Sequence, residues 1–224
     1  YYLDAFSPGC RKLVIGWILR SPELLKEGGS EQSRSHQPLQ HQHKLLGIFS
    51  EECMARFFRE CLCDDSFCRT VSSFVAFQLF ETFFHSINLQ NKCFSLEADS
   101  GDEDVEECDL HAETGGEVMT VLKREITGVE ALWSMAMYSP HAKVGRAAKN
   151  LLIKTRFLFS PALVRHATDL RAEFLGSALD RLKETISVVS SSSGTSRPSD
   201  SDSLPPGQVI KRCFGILKSF VKLF

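Results

Sequence analysis

Apolar residues recur at helical spacing through most of the chain, and three long polar stretches interrupt them. The clearest region is 125–160, EITGVEALWSMAMYSPHAKVGRAAKNLLIKTRFLFS, which reads as helix, tight break, helix. An apolar segment centred on Leu132 and Trp133 stops at Tyr138. Val144, Ala147, Ala148, Leu151 and Leu152 then follow the spacing of one helical face. Ser139-Pro140 lies between the two segments. Serine is a good N-cap and proline suits the first helical position, so this pair predicts a helix start. Ser160-Pro161 repeats the signal ahead of a stripe formed by Leu163, Ala167, Leu170, Phe174, Ala178, Leu182 and Ile186.

The same pattern organises the rest. Residues 1–27 form a helical segment with Leu13, Val14, Trp17 and Ile18 on one face, and 28–43 form a polar flexible loop. Residues 44–95 predict a helix pair: Phe49, Cys53, Phe57 and Cys61 recur every fourth position, Cys63–Ser66 breaks the pattern, and 67–89 are apolar on most sides. Residues 96–117 are an acidic disordered insert, followed by a short extended piece at 118–123. A helical repeat unit spans 118–186 and a Ser/Pro-rich linker spans 187–207. Residues 208–224 form a basic amphipathic helix. Val209, Cys213, Leu217, Phe220 and Phe224 share one of its faces, and Lys211, Lys218 and Lys222 another. The expected class is all-α, an α-solenoid of stacked helix pairs with disordered inserts, because a pair that cannot bury its own face stacks on the next. No fixed repeat period is legible, and a compact helical bundle is the competing architecture.

Charge divides the chain in a way the apolar pattern does not. Residues 1–95 hold 10 basic and 10 acidic residues, 96–117 hold 10 acidic and none basic, and 118–224 hold 16 basic and 8 acidic. The net charge of −2 does not describe a dedicated nucleic-acid binder. The 17 Phe against 3 Tyr and 2 Trp predict many buried rings. No run reaches the ~18 apolar residues needed to span a membrane. No signal peptide is visible, so the eight Cys are read as reduced and the location as cytoplasmic or nuclear. The opening Tyr1-Tyr2 carries no initiator Met, and a piece of a larger polypeptide is expected.

Candidate chemistry is sparse. Cys53, Cys61, Cys63 and Cys68 lack the paired couples of a structural zinc site, and three of them fit apolar helical positions. His36, His41 and His43 fall in the polar loop. His85, His141 or His166 could be paired with a Cys on paper, but no local signature marks one. The glycine pairs at 28–29 and 115–116 lack the strand-to-helix context of a phosphate loop. No catalytic, cofactor-binding or metal-binding residue is assigned. The Ser-rich run 190–203, with Asp200 and Asp202, reads as a passive linker rather than a phosphorylation cluster. The basic C-terminal helix is read as closing a further solenoid layer, with a membrane surface or a partner groove as the competing roles.

The stretches ITGVEALWSMAMYSP at 126–140 and VGRAAKNLLIKTRFLFSPAL at 144–163, with FVAFQLFETFFHSINLQNKCF at 74–94, carry a resemblance. They resemble the long helical region of very large ubiquitin-specific proteases of the fat facets type. The resemblance covers 74–186 and consists of packing residues. It implies an armadillo/HEAT-like scaffold flanking a thiol-dependent ubiquitin hydrolase elsewhere in the parent chain, with protein partners or ubiquitinated substrates. The family's Cys box and His box are absent from these residues, so no catalytic position carries over.

Overall fold

The structure, a computed structural model, describes residues 50–98, 117–191 and 204–223. The expected segment 1–27, the loop 28–43, the middle of the acidic insert, the centre of the Ser/Pro-rich linker and Phe224 lie outside the described residues. The described chain is mostly helical. Its α-helices are α1 (Glu51–Phe57), α2 (Asp65–Thr70), α3 (Phe74–Gln90), α4 (Val129–Tyr138), α5 (Ala142–Lys154), α6 (Pro161–Val164), α7 (Ala167–Ser191) and α8 (Pro206–Val221). Strands β1 (Phe94–Ala98) and β2 (Glu117–Val121) separate α3 from α4. The chain forms two compact units: one contains the described residues up to Leu62 and those from Val75 to Thr127, the other Cys63–Phe74 and those from Gly128 onward.

The first unit is built on phenylalanine. Ser50 caps α1 by accepting from the Cys53 N–H at 3.3 Å, and Glu51 and Glu52 complement the helix dipole. The helix continues as a π-helical turn over Phe58–Leu62. Phe57 meets Phe83 and Phe58 meets Phe80, each with ring centroids 5.3 Å apart. Phe80 also stacks on Phe77 and Phe84, so three phenylalanines of α3 run as one buried column.

The apolar stretch 67–89 is not one helix. It divides at Val71-Ser72-Ser73, where Val71 turns extended and both serines are exposed. β-Branched valine and backbone-competing serine are weak helix formers, and this run of three ends α2. Helix α3 ends in a Schellman arrangement. The Cys93 N–H donates to the Asn88 carbonyl at 2.7 Å and the Lys92 N–H to the Leu89 carbonyl at 3.0 Å. Lys92 takes the left-handed position with φ 52°, where glycine is usual.

The antiparallel pair β1–β2 is the departure from an all-α fold among the described residues. It pairs Phe94 with Val121 and Ala98 with Glu117. Strand structure therefore occupies both ends of the stretch expected to be insert, and extends the 118–123 piece backward by one residue. Phe94 explains the pairing: its buried ring lies 5.7 Å from Phe84, fixing β1 against the end of α3.

In the second unit, α4 and α5 pack on each other, α2 lies against α4, and α7 and α8 form an antiparallel pair that also reaches α4 and α5. Gly128 precedes α4 with φ 92°, a left-handed conformation that suits glycine. The helix start expected at Ser139-Pro140 falls two residues later. Ser139 closes α4, and His141 is the N-cap of α5. The Ser139 hydroxyl donates to the Val71 carbonyl at 2.7 Å and accepts from the His141 N–H at 3.3 Å, so it braces the turn between α4 and α5. At Ser160-Pro161 the cap position and the first-position proline fall as the sequence predicts, but Ser160 makes no side-chain cap bond. Helix α6 ends at Val164, so the single helix expected over Leu163 to Ile186 is divided at Arg165-His166 between α6 and α7. Helix α7 runs to Ser191, past the expected linker start at 187. The Ser187 and Ser190 hydroxyls donate back to the carbonyls of Glu184 and Ile186, which keeps those serines compatible with helix.

Candidate functional site

The centre of the second unit is Trp133. Its side chain is fully enclosed, and its ring lies 4.9 Å from Phe174 of α7. Phe174 stacks in turn on Phe220 of α8 at 4.5 Å, and Phe220 meets Phe157 edge-on at 5.0 Å. The four rings tie α4, α7, α8 and the end of α5 together. Arg181 closes the rim, its guanidinium 5.1 Å over the Trp133 ring and paired with Glu130. Trp133 is therefore a packing residue with no free face. Leu132, Leu151 and Leu152 are buried beside it in the same unit.

A second node lies at the α4–α5 corner. The Arg212 Nη1 of α8 donates to the Ser139 carbonyl at 2.5 Å, while the Ser139 hydroxyl holds Val71. Burial lowers the Arg212 pKa from its ordinary value. Gly145 lies beside it: a Cβ there would sit 3.0 Å from Arg212 Nη1 and 3.4 Å from the Ala136 carbonyl, so a side chain would press the guanidinium aside.

The cysteines are placed as packing residues. Cys61, Cys68, Cys93 and Cys213 are buried, and Cys53 and Cys63 are half-buried, all six as free thiols. Burial pushes the Cys63 thiol up to about 12. It raises Cys68 as well, where Cys63, Asp65 and Asp64 add to the effect. Burial also raises Cys93 and Cys213. Cys213 donates to the Ala178 carbonyl at 3.4 Å. A nucleophilic cysteine needs its pKa lowered, and these shifts run the other way. Among the described residues, no group of three His, Cys, Asp or Glu gathers where a metal ion would be held.

The candidate histidines separate. His85 packs between Phe84 and Phe94, at 5.8 and 5.9 Å. His141 caps α5 through its backbone and is exposed, and His166 is exposed ahead of α7. Lys211, Lys218 and Lys222 are exposed along α8, while Val209, Cys213, Ile216 and Phe220 are buried. Ile216 replaces the expected Leu217 on the inner stripe, and Leu217 is half-buried. No helix among the described residues is long and apolar enough to cross a membrane.

This arrangement defines a class: a helical packing module in which burial raises the pKa of Cys63, Cys68, Cys93 and Cys213. The chain is similar to ubiquitin carboxyl-terminal hydrolase 24 of Mus musculus, 26% identical over 114 residues, which is 50% of this chain and 4% of that protein. The Homo sapiens protein of the same name matches with the same identity and the same coverage. The chain thus spans a small fraction of the length of these relatives. No protein-family model matches the chain, and no solved structure does.

Proposed function

We propose that this chain is a non-catalytic scaffold segment of a large deubiquitinating enzyme of the fat facets type. In this reading it is an armadillo/HEAT-like α-solenoid that holds ubiquitinated substrates or protein partners. Thiol-dependent cleavage of the ubiquitin isopeptide bond takes place elsewhere in the parent polypeptide, in the cytoplasm or nucleus. The observation that carries the reading is the similarity over half the chain to a ubiquitin carboxyl-terminal hydrolase of which the aligned stretch is 4%. Two features support it. Four of the described thiols are raised in pKa by burial, and the second unit is made of helices packed in pairs.

The full-length transcript tests the reading. It is expected to encode a Cys box and a His box in the same frame, while the 224-residue chain leaves a ubiquitin–fluorophore substrate uncleaved. A frame that closes without those boxes sinks the reading and leaves an armadillo/HEAT-type adaptor with no enzymatic activity. Cleavage by the isolated chain would overturn the non-catalytic assignment.

A further inference from the structure

Helix α8 is apolar on two sides. One stripe, Val209, Cys213, Ile216 and Phe220, is buried against α7, α4 and α5. A second stripe, Ile210, Phe214, Leu217 and Val221, has the same helical spacing and faces outward, with Phe214 56% and Val221 61% exposed. Helix α7 repeats the arrangement. Beyond its buried Phe174 and Ala178 it carries Leu179, Ile186 and Val189, which are 47%, 47% and 40% exposed. A helix that is apolar this far around is normally packed on both sides.

The two outer stripes lie on one surface. Phe174 meets Phe220 and Ala178 meets Cys213, so the helices run antiparallel. On α7, Arg181 and Phe174 face Trp133, and Ala178 faces α8. Turning further the same way, at about 100° per residue, leads to Leu179 and Ile186, on the side away from α4. On α8, Arg212 and Ser219 face α4 and α5, and Cys213 faces α7. Turning further leads to Phe214 and Val221, again away from α4 and α5. Antiparallel helices turn in opposite senses when viewed from one end, so the two stripes meet in a shared apolar groove.

The groove has a charged border. Lys211, Lys218 and Lys222 are exposed along its α8 edge, and none of the three makes an ion pair among the described residues. We propose that the α7–α8 face is a docking groove for an amphipathic α-helix of a separate partner protein, with an apolar stripe that seats on Phe214, Leu217, Leu179 and Ile186 and a glutamate- or aspartate-rich edge that faces the three lysines. The inference rests on the scaffold reading and gives that scaffold a surface. The apolar stripe supplies the contact area, and the lysine edge selects acidic helices and orients them. α8 is about 24 Å long at about 1.5 Å per residue, which matches about four turns of a partner helix.

The test uses the full 224-residue chain and labelled designed helices of five turns with identical leucine stripes and either glutamate or lysine edges. The glutamate-edged helix is expected to bind about tenfold more tightly than the lysine-edged one, as three exposed ion pairs allow. That preference weakens with salt and is lost in the triple substitution K211E/K218E/K222E. Phe214→Ser is expected to weaken both peptides while leaving the melting temperature unchanged, since the ring is exposed. Equal binding of the two peptides, or binding indifferent to Phe214→Ser, overturns the proposal. So does a concentration-dependent dimer abolished by Phe214→Ser, which would make the occupant a second copy. Lysine-dependent sedimentation with phosphatidylserine vesicles without peptide binding would assign the face to a membrane and overturn it as well. A transcript lacking the Cys and His boxes alongside selective peptide binding sinks the enzyme assignment and keeps the groove. The reverse pair of results sinks the groove alone.

Discussion

Asn88 and Thr127 are joined by two hydrogen bonds, side chain to backbone. The Asn88 Nδ2 donates to the Thr127 carbonyl at 2.9 Å, and its Oδ1 accepts from the Thr127 N–H at 2.8 Å. The same amide also donates to the Phe84 carbonyl at 2.8 Å, and the residue is wholly buried. A side chain on α3 thus serves as the backbone partner of the segment leaving β2. Asn88→Ala leaves the Thr127 N–H and carbonyl without their partner and is expected to cost about 2–4 kcal/mol. Asn88→Asp turns an anionic oxygen toward two carbonyls and is expected to be worse at neutral pH than at pH about 4, because protonation restores a donor. Chemical denaturation at the two pH values reads both effects, and a neutral Asn88→Ala would show that water replaces the amide.

Trp133→Ala removes the ring that α4 shares with Phe174 and is expected to cost about 3–5 kcal/mol. Trp133→Phe keeps the aromatic contact and should cost less. A thermal melt unmoved by Trp133→Ala would place the ring outside the core.

Lys92 holds a left-handed conformation with a Cβ present. Lys92→Gly keeps both Schellman hydrogen bonds and removes the steric cost, so stability is expected to rise by about 1 kcal/mol. The denaturation midpoint checks this, and a fall would mean that the lysine stem contributes packing.

Burial pushes the Cys63 thiol from its ordinary 9.0 up to about 12, and Cys68 moves in the same direction. The folded chain therefore keeps protons that the unfolded chain releases. This contribution is complete below pH 9.0 and is lost as pH rises from there toward about 12. Melting temperature is expected to fall faster with pH in the parent chain than in Cys63→Ala/Cys68→Ala across that window. In the native state both thiols should react slowly with a disulfide reagent and become fast in denaturant. Parallel pH profiles for parent and variant would remove the effect.

What the sequence made legible was what helical periodicity encodes. Trp133 as a core anchor and the α5 stripe follow from spacing alone, and Pro161 stands at a first helical position as its ring favours, though the helix it opens is only α6. The misses have physical causes. Val71-Ser72-Ser73 was lost inside an apolar run, because a three-residue break hardly alters periodicity. Strand β1 was hidden because its partner lies across a long connection, and a pairing made that way leaves no local signature. Ser139 reads as a cap, but the helix starts two residues later, and its hydroxyl instead bonds the Val71 carbonyl, 68 positions away, and the His141 N–H in the turn between α4 and α5. On α7 the expected stripe ends in Ile186, yet Thr185 is buried and Ile186 exposed, since a straight helix drifts off a strict four-residue spacing. Cys61, Cys68, Cys93 and Cys213 are buried, as small apolar groups are. The two-sided character of α8 was present in the residues, but a single-face reading merged its stripes.

The register of the small sheet carries one more consequence. Ala98 and Glu117 stand opposite each other, so the acidic stretch leaves and re-enters the fold at a single point. Its length is thereby decoupled from the helices on either side. Doubling such an excursion adds only about 0.6 kcal/mol of closure entropy. The hairpin is a junction at which the length of the connection can change while β1 stays fixed against the end of α3.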